Sequence, residues 1–193
     1  MINQLIRYHC YVQISTKEYI PDSLFQKLDL LSRINPIYIN ISMPFLNTAT
    51  IEPHAADVQR RIANIKRAND YLHIKCGLYI KPFTYSALIN VSQYINIIQQ
   101  NTPDYVCVGI FFDKDTILPC ATLYHSDIAL NAITKQAALL FDFANQIRSN
   151  LNIPVVFSSI CAISQFDIQQ CTLHLWEYQK GICQECALSK EDL

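Results

Sequence analysis

The chain has 193 residues, of which 51% are hydrophobic and only 16% charged, with Lys+Arg 15 against Asp+Glu 16. A charged fraction so far below the roughly 25% of an ordinary soluble domain excludes intrinsic disorder. A net charge of -1 excludes a generally basic nucleic-acid binder. The three glycines, Gly77, Gly109 and Gly181, cannot assemble a G-x-G-x-x-G or a G-x-x-x-x-G-K-[ST] phosphate loop.

In chain order, Arg7–Thr16 reads as a strand, and Pro21-Asp22-Ser23 opens a helix with Leu24, Leu28 and Leu31 on one face. Ile37–Met43 is a second strand, rich in β-branched and aromatic residues, followed by a loop over Pro44–Ala55. A helix over Ala56–Asn69 places Ile62, Ile65 and Asn69 on one face. His73–Phe83 is a third strand that Pro82 closes, because proline donates no ladder hydrogen bond. A shorter helix covers Asn90–Gln100. Tyr105–Phe112 is then a strand apolar on both faces, which suits burial on both sides in a parallel sheet. After a loop around Pro119, His125–Asn150 is the longest helix, with Leu130, Ile133, Ala137, Leu140, Ala144 and Ile147 at three- and four-residue steps. Pro154–Ile160 is a fifth strand, and Ser164–Leu193 is a less regular tail.

Strand and helix alternating at spacings of about 30 residues is the pattern of βα units on a parallel sheet, so the fold class is α/β. Five strands suit either an open doubly wound sheet or part of a (β/α) barrel. The longest apolar stretches are strand-sized, far short of the roughly 18 to 20 residues of a membrane span. The segment 1–9 carries Arg7 and lacks the apolar region of a signal peptide. The eight cysteines are therefore expected to be thiols or metal ligands, and the location cytoplasmic.

Ligands of parallel α/β folds bind outside the carboxyl ends of the strands. Those ends read Ile14-Ser15-Thr16-Lys17, Ile41-Ser42-Met43-Pro44, Tyr79-Ile80-Lys81-Pro82, Phe112-Asp113-Lys114 and Ser158-Ser159-Ile160-Cys161. Lysines and hydroxyls on one rim suit an anionic ligand such as a carboxylate or phosphate, the plainer reading being solvated loop residues. Ser15-Thr16-Lys17 closes one strand and Ser42 the next. Glu52-Pro53 follows, then Arg61-Ile62 nine residues after the Glu, then Gly77-Leu78-Tyr79-Ile80-Lys81-Pro82. This run resembles the middle and C-terminal part of the radical S-adenosylmethionine (SAM) barrel, closest to its spore photoproduct lyase branch. The resemblance implies a partial (β/α) barrel over residues 1–163. It implies that Lys17 and Ser42 meet the amino-acid end of SAM, with Ser15, Glu52, Arg61 and Lys81 in the same site. A Lys neutralises a carboxylate and a Ser hydroxyl adds a hydrogen bond.

The sequence departs from that family in lacking C-x-x-x-C-x-x-C, which binds the 4Fe–4S cluster, and the glycine-rich segment that meets the SAM amino group. The chain then begins at what would be the third strand. The cluster would come from a partner chain, and that chain or a second copy of this one would cover the open barrel edge. The tail over residues 164–193, together with Cys161, holds Cys171, Cys183 and Cys186, the last two as C-x-x-C. This set suits Zn²⁺ or an iron–sulfur cluster, with His174 able to replace Cys161 or Cys171; the alternative is four buried reduced thiols. Arg60, Arg61, Lys66 and Arg67 form a basic helical stripe that reads as a solvated face before a nucleic-acid contact. Two further functions stay open: an inactive barrel relative acting as an interaction protein, and a small α/β enzyme for a phosphorylated metabolite.

Overall fold

The computed structural model describes residue 2 and residues 12–46, 52–109 and 133–157. Five strands form one sheet: β1 Val12–Thr16, β2 Ile37–Ser42, β3 Ile74–Ile80, β4 Tyr105–Val108 and β5 Val155–Val156. Their order across the sheet is the order in the chain, and all four pairings are parallel. The helices between them are α1 Asp22–Ser32, α2 Val58–Ala68, α3 Tyr85–Ile89, α4 Val91–Asn101 and α5 Ile133–Asn150. A doubly wound sheet reverses its strand order and carries helices on both faces. The described strands run in consecutive order, without such a reversal.

All five described helices lie on one face. Phe25 and Leu28 of α1, Ile65 and Ala68 of α2, Ala87 of α3, Tyr94 and Ile98 of α4 and Phe143 and Ile147 of α5 share one buried cluster with Ile39, Leu78 and Val106 from the sheet. The alternate residues of the same strands, Tyr38, Tyr105, Cys107 and Val156, form a second buried cluster on the other face. Side chains alternate faces along a strand, so two buried faces explain why β2 and β4 carry almost no solvated position.

The helix faces differ in detail from the periodicity. In α1 the buried residues are Phe25, Leu28 and Ser32, while Leu24 is exposed. Leu24 and Phe25 are adjacent apolar residues, and the larger ring takes the core position, stacking on Tyr71 with centroids 5.5 Å apart. In α2 the buried stripe is Arg61, Asn64, Ile65 and Ala68; Asn69 is exposed and donates to the Asn101 carbonyl. The basic stripe is split: Arg60 and Lys66 are exposed, as a solvated face requires, whereas Arg61 and Arg67 turn inward. Arg61 is fully buried, and Arg67 donates to the Ile20 carbonyl, bonds Asp22 and lies over the rings of Tyr19 and Phe25. Asp57 caps this helix by accepting from the Arg60 amide, while Lys66 and Arg67 complement the carbonyl end. The helix expected over Asn90–Gln100 is preceded by α3, with the break at Asn90.

Residues 7–11 of the expected first strand, 110–112 of the fourth, 125–132 of the long helix, 158–160 of the fifth strand and the whole tail lie outside the described residues. Among the described residues no helix is long and apolar enough to cross a membrane.

Candidate functional site

The carboxyl ends of β1 and β2 and the start of α2 meet at one place. Lys17 follows β1, Ser42 ends β2, and Glu52 precedes a turn in which the Ala55 amide donates to the Glu52 carbonyl. Glu52 bridges two cations: Lys17 Nζ lies 2.5 Å from Oε1, and Arg61 Nη1 lies 2.8 Å from Oε2. Arg61 also donates from Nε to the Ala56 carbonyl at 2.6 Å and from Nη1 to the Ser42 carbonyl at 3.0 Å. Its Nη2 is buried and makes no hydrogen bond.

The two halves of this cluster differ physically. Arg61 has no exposed side-chain surface and Glu52 only 9%, whereas Lys17 is 47% exposed. A buried ion pair exerts its force mainly when broken, because the remaining charge is then desolvated without compensation. An exposed lysine bridge contributes about 0–1 kcal/mol. Arg61 with Glu52 is thus the fixed part and Lys17 the exchangeable part. Within this three-residue cluster two cations face one carboxylate.

The loop carrying Lys17 is held from α2. Asn64 is fully buried, accepts from the Ile20 amide at 2.9 Å and donates to the Glu18 carbonyl at 2.8 Å. The segment beyond β2 is held from α4, where Tyr94 donates to the Met43 carbonyl at 3.0 Å. Burial, and secondarily the Glu52 carboxylate, push the Tyr94 phenol well above its ordinary range, so its proton stays on.

Of the residues expected in the site, the structure brings Lys17, Glu52 and Arg61 into direct contact. Ser42 joins them through its carbonyl oxygen. Lys81 follows β3, the neighbour of β2, with its stem packed toward Gly109. Ser15 lies one layer below Lys17 on β1, bonded to Asn40 of β2. Cys161, Cys171, Cys183, Cys186 and His174 lie outside the described residues. Among the described residues no three His, Cys, Asp or Glu side chains gather as a metal site. Cys76 and Cys107 are buried and not joined in a disulfide. Burial, and then the Asp104 carboxylate, push the Cys76 thiol far up, which makes it a poor thiolate. Comparison with protein-family models, with curated proteins and with solved structures gives no match.

The sequence pattern does not mark Asn40, Asn64 and Tyr105 as site residues. Each buried Asn sits among apolar neighbours, and a buried amide needs hydrogen-bond partners; that was the available signal. Tyr105 donates to Asn40 Oδ1 at 2.7 Å, and Asn40 Nδ2 donates to Ser15 Oγ at 3.2 Å. These three residues share a layer with Gly77, because Ser15 pairs with Asn40, Asn40 with Gly77 and Gly77 with Tyr105. The tyrosine side chain passes over Gly77 to reach a residue two strands away. A groove of about 320 Å³ between α2 and α4, lined by Val58, Gln59, Ile62, Gln93 and Ile97 among others, includes none of the expected site residues.

Proposed function

We propose that this chain is a radical-SAM-like partial (β/α) barrel whose strand-end rim binds SAM through its carboxylate. The 4Fe–4S cluster of the complete site would be supplied by another chain or contributed on assembly. One observation carries the reading: Lys17, Ser42, Glu52 and Arg61, which the family resemblance joins across 45 residues of sequence, meet as one charged cluster at the strand ends. Consecutive parallel strand order with the described helices on one face supports the barrel part. Two cations facing one carboxylate in this cluster support an anionic ligand, and the exposed Lys17 is the group able to leave Glu52 for it.

The site residues bind and orient; SAM bound beside a reduced cluster is the source of the radical chemistry of such proteins. Here Arg61 fixes Glu52, Glu52 holds Lys17 near the rim, and Asn64 fixes the loop behind it. The test is calorimetric titration of the full chain with SAM and with 5′-methylthioadenosine, which keeps the nucleoside but lacks the amino-acid end. The expected result is SAM binding that weakens about tenfold in Lys17→Ala and is weak or absent for methylthioadenosine. Equal affinity for the two compounds, or no SAM binding at millimolar concentration, overturns the reading. Tighter binding of inorganic phosphate than of SAM points instead to a phosphorylated metabolite.

A further inference from the structure

We propose that Asn40 and Tyr105 are positioning residues that hold Ser15 with its hydroxyl proton turned outward, as a hydrogen-bond donor to the anionic ligand at the rim. This rests on the reading of the rim as an anion site and adds to it a donor with an assigned direction. Tyr105 and Asn40 are both fully buried, while Ser15 is exposed, so the chain of bonds runs from the interior to the surface. Burial, with nearby Cys76, Cys107 and Asp104 adding to it, pushes the Tyr105 phenol far above its ordinary range. Its oxygen therefore keeps the proton and donates it to Asn40 Oδ1.

The direction of the whole chain follows. With Oδ1 turned to Tyr105, the amide nitrogen faces Ser15 and donates to its oxygen. The distances agree with this orientation: 2.7 Å is an O–H···O length, and 3.2 Å lies at the long end of N–H···O. A serine hydroxyl that accepts from an amide points its own proton elsewhere. Ser15 sits on the strand face opposite the helices, two residues before Lys17, so an acceptor oxygen held by Lys17 is the chemistry this proton suits. Carboxylate and phosphate oxygens qualify; ammonium and other donor groups do not.

The test is a double-mutant cycle on SAM affinity, read by calorimetry on the full chain, with folding checked by circular dichroism. Ser15→Ala, at an exposed position, is expected to weaken SAM binding about tenfold. Tyr105→Phe keeps the ring but removes the donor, and is expected to weaken binding several-fold. Its effect disappears when Ser15 is already Ala, because it acts only through Ser15. A merely structural role for Tyr105 gives the same loss in both backgrounds and overturns the proposal. SAM binding that depends on Lys17 but not on Ser15 overturns it while leaving the rim reading intact. Absence of SAM binding in the unaltered chain overturns both.

Discussion

Gly77→Ala probes the layer that joins the candidate site to the interior. A Cβ at Gly77 would fall within 3.0 Å of Cε2, Cζ and Cδ2 of the Tyr105 ring, closer than real Cβ atoms approach. The glycine does not occupy the left-handed region, so alanine meets no backbone strain there and the cost is steric alone. The ring cannot slide away freely, because Tyr105 is fully buried and its hydroxyl is bonded to Asn40. Overpacking of this kind costs about 1–3 kcal/mol. Losing the bond to a buried amide adds about 1–3 kcal/mol. The lower entropy of an unfolded alanine returns about 0.4–1 kcal/mol. The expected net loss is about 1–6 kcal/mol, or a fall in Tm of about 2–20 °C for a chain of this size. Urea unfolding measures it, with Gly109→Ala as the comparison. There the added Cβ meets the flexible Lys81 stem at 3.0 Å, and the expected change is below about 1 kcal/mol. In a Tyr105→Leu background the Gly77→Ala cost should shrink. A Gly77→Ala chain within about 0.5 kcal/mol of the unaltered one, or an equal cost in both backgrounds, refutes the reasoning.

Glu52→Gln is expected to destabilise by about 3–5 kcal/mol, since it leaves the fully buried Arg61 without its carboxylate. Lys17→Ala should change stability by less than about 1 kcal/mol, and chemical denaturation distinguishes the two. Asn64→Ala should cost about 2–4 kcal/mol, because it strips partners from the Ile20 amide and the Glu18 carbonyl. Hydrogen exchange at Ile20 should accelerate with it. Stability should fall in alkali. The unfolded chain releases protons from Cys76 near 9.0 and from Tyr94 and Tyr105 near 10.0, whereas the folded chain holds them higher. The folded state then binds more protons, so stability declines as pH rises past about 9. Tyr94→Phe should flatten that decline, as urea midpoints across pH 7–11 would record.

The alternation of strand and helix was legible because apolar runs of strand length and apolar stripes of helix length differ in period. Which face of a helix is buried was less so. The buried stripe of α2 is half polar, with Arg61 and Asn64 beside Ile65 and Ala68, so hydropathy passes over the residues that anchor it. Those two are buried because each satisfies backbone groups: Arg61 the Ser42 carbonyl and the nearby Ala56 carbonyl, and Asn64 the Glu18 carbonyl and the Ile20 amide of a loop far away in sequence. No local pattern encodes a partner 44 residues distant. The meeting of Lys17, Glu52 and Arg61 is not encoded by their spacing, which fixes no contact. Asn40 was visible as one amide in an apolar strand. Its partner Tyr105 is 65 residues on, and only the register places Gly77 between them.

The same contacts explain why a rim of this kind is built from a rigid and a loose cation rather than from two free lysines. A free cation pair at a strand end would repel itself and hold a ligand only by ordering two long side chains, each of which loses rotamer freedom. Burying Arg61 against the Ser42 and Ala56 carbonyls removes that loss for one member during folding. Glu52 then keeps Lys17 at the strand ends through a contact weak enough to exchange. On the proposed reading, an arriving carboxylate would compete with Glu52 for one exposed ammonium, while the buried guanidinium keeps Glu52 in place. The expected signature is asymmetric. Raising ionic strength should weaken anion binding through the exposed Lys17, yet leave folding stability, which rests on the buried Arg61–Glu52 contact, nearly unchanged.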